Sequence, residues 1–164
     1  MGAHPTKAAG NMYYQCRKQA ALYNDKLNSR EGAAELLNIS PSTLADYELG
    51  LTKVVPVDKV VLMADTYNAP ELRNYYCTNE CPIGRDSVPK LEVRELDRLT
   101  IKVLAAFNET VAIKQDLINI AEDGVITDNE IPILKKILDN LDKLSISAQE
   151  LKLWAEKTIL SGNI

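Results

Sequence analysis

Residues 29–50, SREGAAELLNISPSTLADYELG, leave a chain few options. The spacing predicts two short helices joined by a tight turn. Ala33, Ala34, Leu36 and Leu37 give the first an apolar face, and Ser29 stands in front as an N-cap. Asn38 tolerates the left-handed conformation in which helices often end. Ile39 then fills the angle between the helices. Ser40 caps the second helix, and Pro41 takes its first position, where a missing N–H does no harm. Leu44 and Tyr47 face inward, and Gly50 ends the segment. This is a helix-turn-helix pattern.

The neighbouring sequence extends the pattern on both sides. Residues 12–25 read as a preceding helix, with Tyr13, Cys16, Ala20, Tyr23 and Leu27 at helical spacing. Pro56 and Pro70 each open a further helix. Val60, Leu62, Met63, Ala64 and Tyr67 form the apolar run of the first of these.

Over residues 12–76 the chain resembles the xenobiotic-response-element family of regulators, related to the Cro and lambda-type repressors. The matching residues are Ala34 where the helices cross, Ile39 after the turn, Leu44, Tyr47 and the Glu48-Leu49-Gly50 ending. The resemblance implies a five-helix lambda-repressor-like domain whose recognition helix, residues 41–49, reads a major groove from its N-terminal half. The implied DNA-facing residues are Ser40, Pro41, Ser42, Thr43, Ala45 and Asp46. Arg30 stands where the family has a phosphate-contacting glutamine, and Lys53 lies in the loop that follows the DNA backbone. Both are phosphate anchors or solvated surface charges. Arg17-Lys18 contacts phosphate, pairs with Glu48 or forms a solvated pair. The sequence departs from strong readers of the family. Its recognition helix offers no Arg, Asn or Gln for a bidentate base contact, and Asp46 repels phosphate.

Charge weighs in the same direction. The chain carries a net −4, whereas DNA affinity begins with cations that displace counterions. Between Asn11 and Tyr76 seven basic side chains stand against eight acidic ones. Tight binding by a monomer is disfavoured, so the reading calls for a dimer.

Residues 1–11 read as a flexible tail that holds His4, the sole histidine. With no second histidine, a Ser-His or Cys-His catalytic pair has no candidate, and no phosphate loop or metal cluster appears. The expectation is a protein that is not an enzyme and needs no cofactor. Cys77 and Cys81 are four apart. They are two thiols at a domain end, half of a Cys₄ metal site shared across a dimer, or a redox disulfide. Three cysteines and no apolar run of membrane length point to a cytoplasmic protein.

Residues 82–90, CPIGRDSVPK less its cysteine, read as a linker between a domain at 12–81 and a helical domain at 91–164. In the latter, Leu96, Leu99, Val103, Ala106, Thr110, Ile113, Leu117 and Ile120 form a heptad-like seam. Leu104, Phe107, Val111 and Ile118 widen it beyond what one partner covers. Asp123-Gly124 ends this helix. The acidic residues around that turn are carboxylates at helix ends, because the alternating oxygen ligands of a calcium loop are missing. Thr127-Asp128-Asn129-Glu130 and Ser147-Ala148-Gln149-Glu150 both read as capping boxes. A long helix followed by two shorter ones is therefore expected, either an antiparallel hairpin or a three-helix unit. It serves as the homodimer interface or receives a protein partner.

The functional expectation is a sequence-specific, double-stranded-DNA-binding regulator, a dimeric repressor of phage or mobile-element type. The alternative is a helix-turn-helix-derived adaptor that no longer binds DNA.

Overall fold

The computed structural model describes residues 7–122 and 124–160; the tail reading for residues 1–6, His4 included, and the end of the 91–164 domain lie outside them. The described residues are all-α and contain no strand. Six small helices come first: α1 (Met12–Ala20), α2 (Arg30–Leu37), α3 (Pro41–Glu48), α4 (Val57–Thr66), α5 (Glu71–Asn79) and α6 (Pro82–Ser87). Two long helices follow, α7 (Leu96–Ala121) and α8 (Ile131–Leu160), packed as a hairpin. The chain divides into two compact units. One holds the described residues up to Lys90 and from Lys157 onward, the other Leu91–Glu156. Among the described residues no helix is long and apolar enough to cross a membrane.

The first unit is built from local signals that its sequence states openly. Ser29 Oγ accepts from Gly32 N at 3.0 Å, and Ser40 Oγ from Thr43 N at 3.0 Å, so both caps form. Asn38 adopts φ 49°, ψ 54°, and its N–H and that of Ile39 close on carbonyls of α2. Gly50 turns the chain at φ 69° after α3. Tyr13, Leu27, Ala33, Ala34, Leu37, Leu44, Val60, Met63 and Leu72 share one buried core.

Four expectations fail here. The helix read over residues 12–25 stops at Ala20, and a 3₁₀ turn, Asp25–Asn28, follows it. Asn24 caps that turn by accepting from Lys26 N at 3.2 Å. The turn keeps Leu27 in the core but leaves Tyr23 exposed. Leu36 also lies at the surface. Residues 7–11 are no tail, for Ala8 is fully buried and Asn11 Oδ1 accepts from Tyr13 N at 2.9 Å as the cap of α1. Within the stretch read as a linker, Pro82–Ser87 is helical. Gly84 lies so close to α5 that a Cβ there would stand 2.3 Å from the Cys77 carbonyl oxygen.

In the second unit the seam of α7 is covered where Leu99, Ala106, Ile113 and Ile120 recur at sevenfold spacing. Ile113 and Ile120 meet Ile137 of α8, with Leu134 against them. Gly124, at φ 69°, lies in the turn after α7, next to Asp123, which is outside the described residues. Half of the first capping box forms: Glu130 Oε2 reaches back to accept from Thr127 N at 2.8 Å, and Thr127 Oγ1 donates to the same oxygen at 2.7 Å. The second does not, and the three-helix alternative goes with it. Ser147 lies within α8, buried, and its hydroxyl donates to Lys143 O at 2.7 Å. Glu150 is buried too, accepting from Lys102 Nζ at 2.6 Å and Glu92 N at 3.2 Å. No glycine or proline interrupts residues 133–160, and the inward stripe stays in phase past Ser147. A helix so supported outweighs a local cap.

Candidate functional site

The outer edge of α3 is short and hydroxyl-rich. Ser40, Pro41, Ser42 and Asp46 are exposed, while Thr43 and Ala45 are half-buried. Ser40 Oγ lies 2.8 Å from both Ser42 Oγ and Thr43 Oγ1. Three hydroxyls thus cluster at the helix N-terminus, where they can bond phosphate or a base edge but cannot form a two-point contact.

What holds α3 in place lies at its other end. Glu48, its last residue, is 0% exposed. Arg17 of α1, 2% exposed, donates to it from Nε at 2.5 Å and from Nη2 at 3.0 Å. Arg30 of α2 adds its Nε at 2.7 Å. The remaining Arg17 nitrogen, Nη1, donates to Leu27 O at 2.7 Å and Asn28 O at 3.3 Å, closing the 3₁₀ turn. Tyr14 places its ring face 5.5 Å from the same guanidinium. One buried carboxylate therefore ties three helices together through two-point, charge-assisted bonds. Asn11 Nδ2 supplements it by donating at 3.0 Å to Tyr47 O, which also accepts from Gly50 N at 3.2 Å just past the end of α3.

Arg30 consequently sits beside the C-terminal end of α3, with one nitrogen engaged and its side chain 34% exposed. Lys53 is exposed on the loop after α3 and makes no ion pair among the described residues. Val55 in that loop is buried, and its N–H donates to Glu80 Oε2 at 2.7 Å. Tyr13 Oη donates to the other Glu80 oxygen at 2.6 Å. Burial, chiefly, and this bond raise the Tyr13 phenol well above its ordinary range. Glu80 is thus a clamp on the Lys53 loop, and nothing in its sequence context announced it. The two cations flank one end of α3, and the hydroxyls occupy the other.

Around Glu48 the interior is polar. Burial raises the Tyr67 phenol, and the Glu48 carboxylate raises it further; its hydroxyl has no protein partner. Burial pushes the Cys16 thiol up to about 12, so it is an inert core group. Cys77 and Cys81 are free thiols and half-buried. Cys81 Sγ accepts from Gly84 N at 3.4 Å and so caps α6. Among the described residues no group of three or more His, Cys, Asp or Glu side chains is placed to hold a metal ion. Comparison with protein-family models, with curated proteins and with solved structures finds no match.

Proposed function

We propose that the chain is a sequence-specific DNA-binding regulator of the xenobiotic-response-element type. In this reading α1–α5 form a lambda-repressor-like helix-turn-helix domain, and α3 enters the major groove. The protein acts as a dimer through its second unit, as a repressor of phage or mobile-element genes. The observation that carries the reading is the anchoring of α3: Glu48 is locked to Arg17 and Arg30 at one end, while Pro41, Ser42 and Asp46 stay open to solvent. A rod fixed from behind and bare in front suits insertion into a groove. Arg17 takes the Glu48-pairing role among those the family resemblance left open.

The weak electrostatics fit a dimer. Two modest contacts on one duplex reinforce each other through effective concentration. Lys53 is the unpaired phosphate anchor, Arg30 a shared one. Selection from random duplexes with the full chain is expected to enrich a two-half-site sequence. On that sequence Lys53→Ala should lower the salt slope of log K by about 1. Failure to enrich any duplex at low salt would overturn the proposal.

Asp46 on the exposed edge, together with the engagement of Arg30 by Glu48, favours a second reading, an adaptor that keeps the scaffold without binding DNA. The same selection separates the two.

A further inference from the structure

The hairpin carries a second apolar stripe that its own two helices do not cover. At about 100° per residue, Leu104, Phe107, Val111 and Ile118 of α7 fall within about 60° of one another. Val111 is 73% exposed, and the other three are 50–56% exposed. On α8, Leu138 and Leu141 repeat the pattern, at 52% and 40% exposed, with half-buried Leu134 one turn before them. On each helix this stripe is displaced from the buried seam in the same rotational sense. In an antiparallel pair that places both stripes on one side of the hairpin. The ion pairs Glu109–Lys143, at 3.2 Å, and Lys102–Glu150 bridge the helices on the opposite side. One face is greasy, the other charged.

We infer that this face is the contact between two copies of the chain, which pair their hairpins into a four-helix bundle. The size argument comes first. At their fractional exposures these side chains present roughly 600 Å² of apolar surface, the upper limit for the largest patch on a monomer. With its polar rim the face approaches the roughly 800 Å² per partner of a standard interface.

The second argument is the thinness of the unit's core. Two helices that bury only Leu99, Ala106, Ile113, Ile120, Ile137 and Leu153 among their described apolar side chains, with Leu134 beside them, have a thin core, and self-association is the usual remedy. Charge supplies the third. Residues 91–156 hold eight basic and thirteen acidic side chains, so two copies repel as wholes. Yet no acidic residue lies among the stripe positions from Leu104 to Ile118 on α7 or from Leu134 to Leu141 on α8. Identical acidic units can meet there with little repulsion. The inference names the surface behind the dimer of the preceding section. It rests on that reading only for the purpose of the pairing, because the assembly forms without DNA.

Sedimentation of the full chain across micromolar concentrations, without DNA, tests it. The wild type should sediment as a dimer, and Val111→Glu as a monomer with unchanged helical circular dichroism. Ile101→Glu, on an equally exposed residue off the stripe, should leave the dimer intact. Phe107→Ala, a milder change that removes no helix-forming capacity, should raise the dimer dissociation constant at least about tenfold. It decides the matter if the glutamate variant unfolds. A monomeric wild type, or dimers of both Val111→Glu and Phe107→Ala with unaltered affinity, would overturn the inference. A dimer that enriches no duplex would sink the regulator and leave this face standing; a monomer that binds duplex would do the reverse.

Discussion

Replacing Glu48 by glutamine removes one charge, hardly changes the volume, and leaves Arg17 with the wrong neighbour. The guanidinium of Arg17 would remain buried and face uncharged groups alone: the new amide oxygen, the carbonyls of Leu27 and Asn28, and the face of Tyr14. Breaking a buried pair in this way costs about 3–5 kcal/mol, most of it the penalty of a stranded charge. Arg30 contributes less, since its partly exposed side chain recovers water; Arg30→Ala should cost about 1 kcal/mol. A unit of this size shifts its melting midpoint by about 4–8 °C per kcal/mol, so Glu48→Gln should lower it by about 12 °C or more. All seven tyrosines precede residue 77 and the single tryptophan is Trp154, so near-ultraviolet tyrosine signals report the first unit. The double variant Arg17→Met, Glu48→Leu removes both buried charges together and should cost far less than the two single changes added. A loss below about 1 kcal/mol for Glu48→Gln, or simple additivity in the double variant, would refute the account of α3 as a helix pinned by charge.

Other outcomes follow from the same structure. Tyr67→Phe deletes a buried hydroxyl without a protein partner, so it should be neutral or stabilising by about 1 kcal/mol in thermal melts, and a clear loss would reveal a hidden partner. Tyr13 and Tyr67 both hold their protons more tightly folded than unfolded. The first unit should therefore keep its stability below about pH 10 and lose up to about 1.4 kcal/mol per further pH unit for each, a decline that Tyr67→Phe makes shallower. Thr127→Ala should destabilise the hairpin by about 1 kcal/mol, while Ser147→Ala should not, because only Thr127 Oγ1 holds a side chain, Glu130, at the start of a helix; Trp154 fluorescence during urea unfolding distinguishes them. Gly84→Ala should lift α6 from α5, seen as faster hydrogen exchange at Arg85 and Val88, since the added methyl meets backbone rather than a yielding side chain.

The parts legible in the sequence are those whose causes are local. Ser29, Asn38, Ser40, Pro41 and Gly50 each act on the backbone within a turn of themselves, so the geometry from α2 to the end of α3 follows from adjacent residues. The seam of α7 was readable for a similar reason, because periodicity needs no knowledge of the partner. Ser147-Ala148-Gln149-Glu150 misled because a cap is only an option: it acts where a helix begins, and a continuous stripe without a breaker never let one begin there. The stop of α1 at Ala20 was missed because its cause is tertiary. Leu27 reaches the core through a turn that Arg17 stabilises from ten residues away. At the candidate site, the residues of the α3 edge were nameable from the sequence alone. Glu80 was not, since its partners are Tyr13 and Val55, 67 and 25 residues distant.

The separation of duties along α3 has a practical corollary. Leu44, Tyr47 and Glu48 answer for the fold, whereas Ser42 and Asp46 owe the interior nothing. Those two positions can be rewritten in a library with the scaffold left as it is, and whatever the helix addresses can be redirected by selection rather than by redesign.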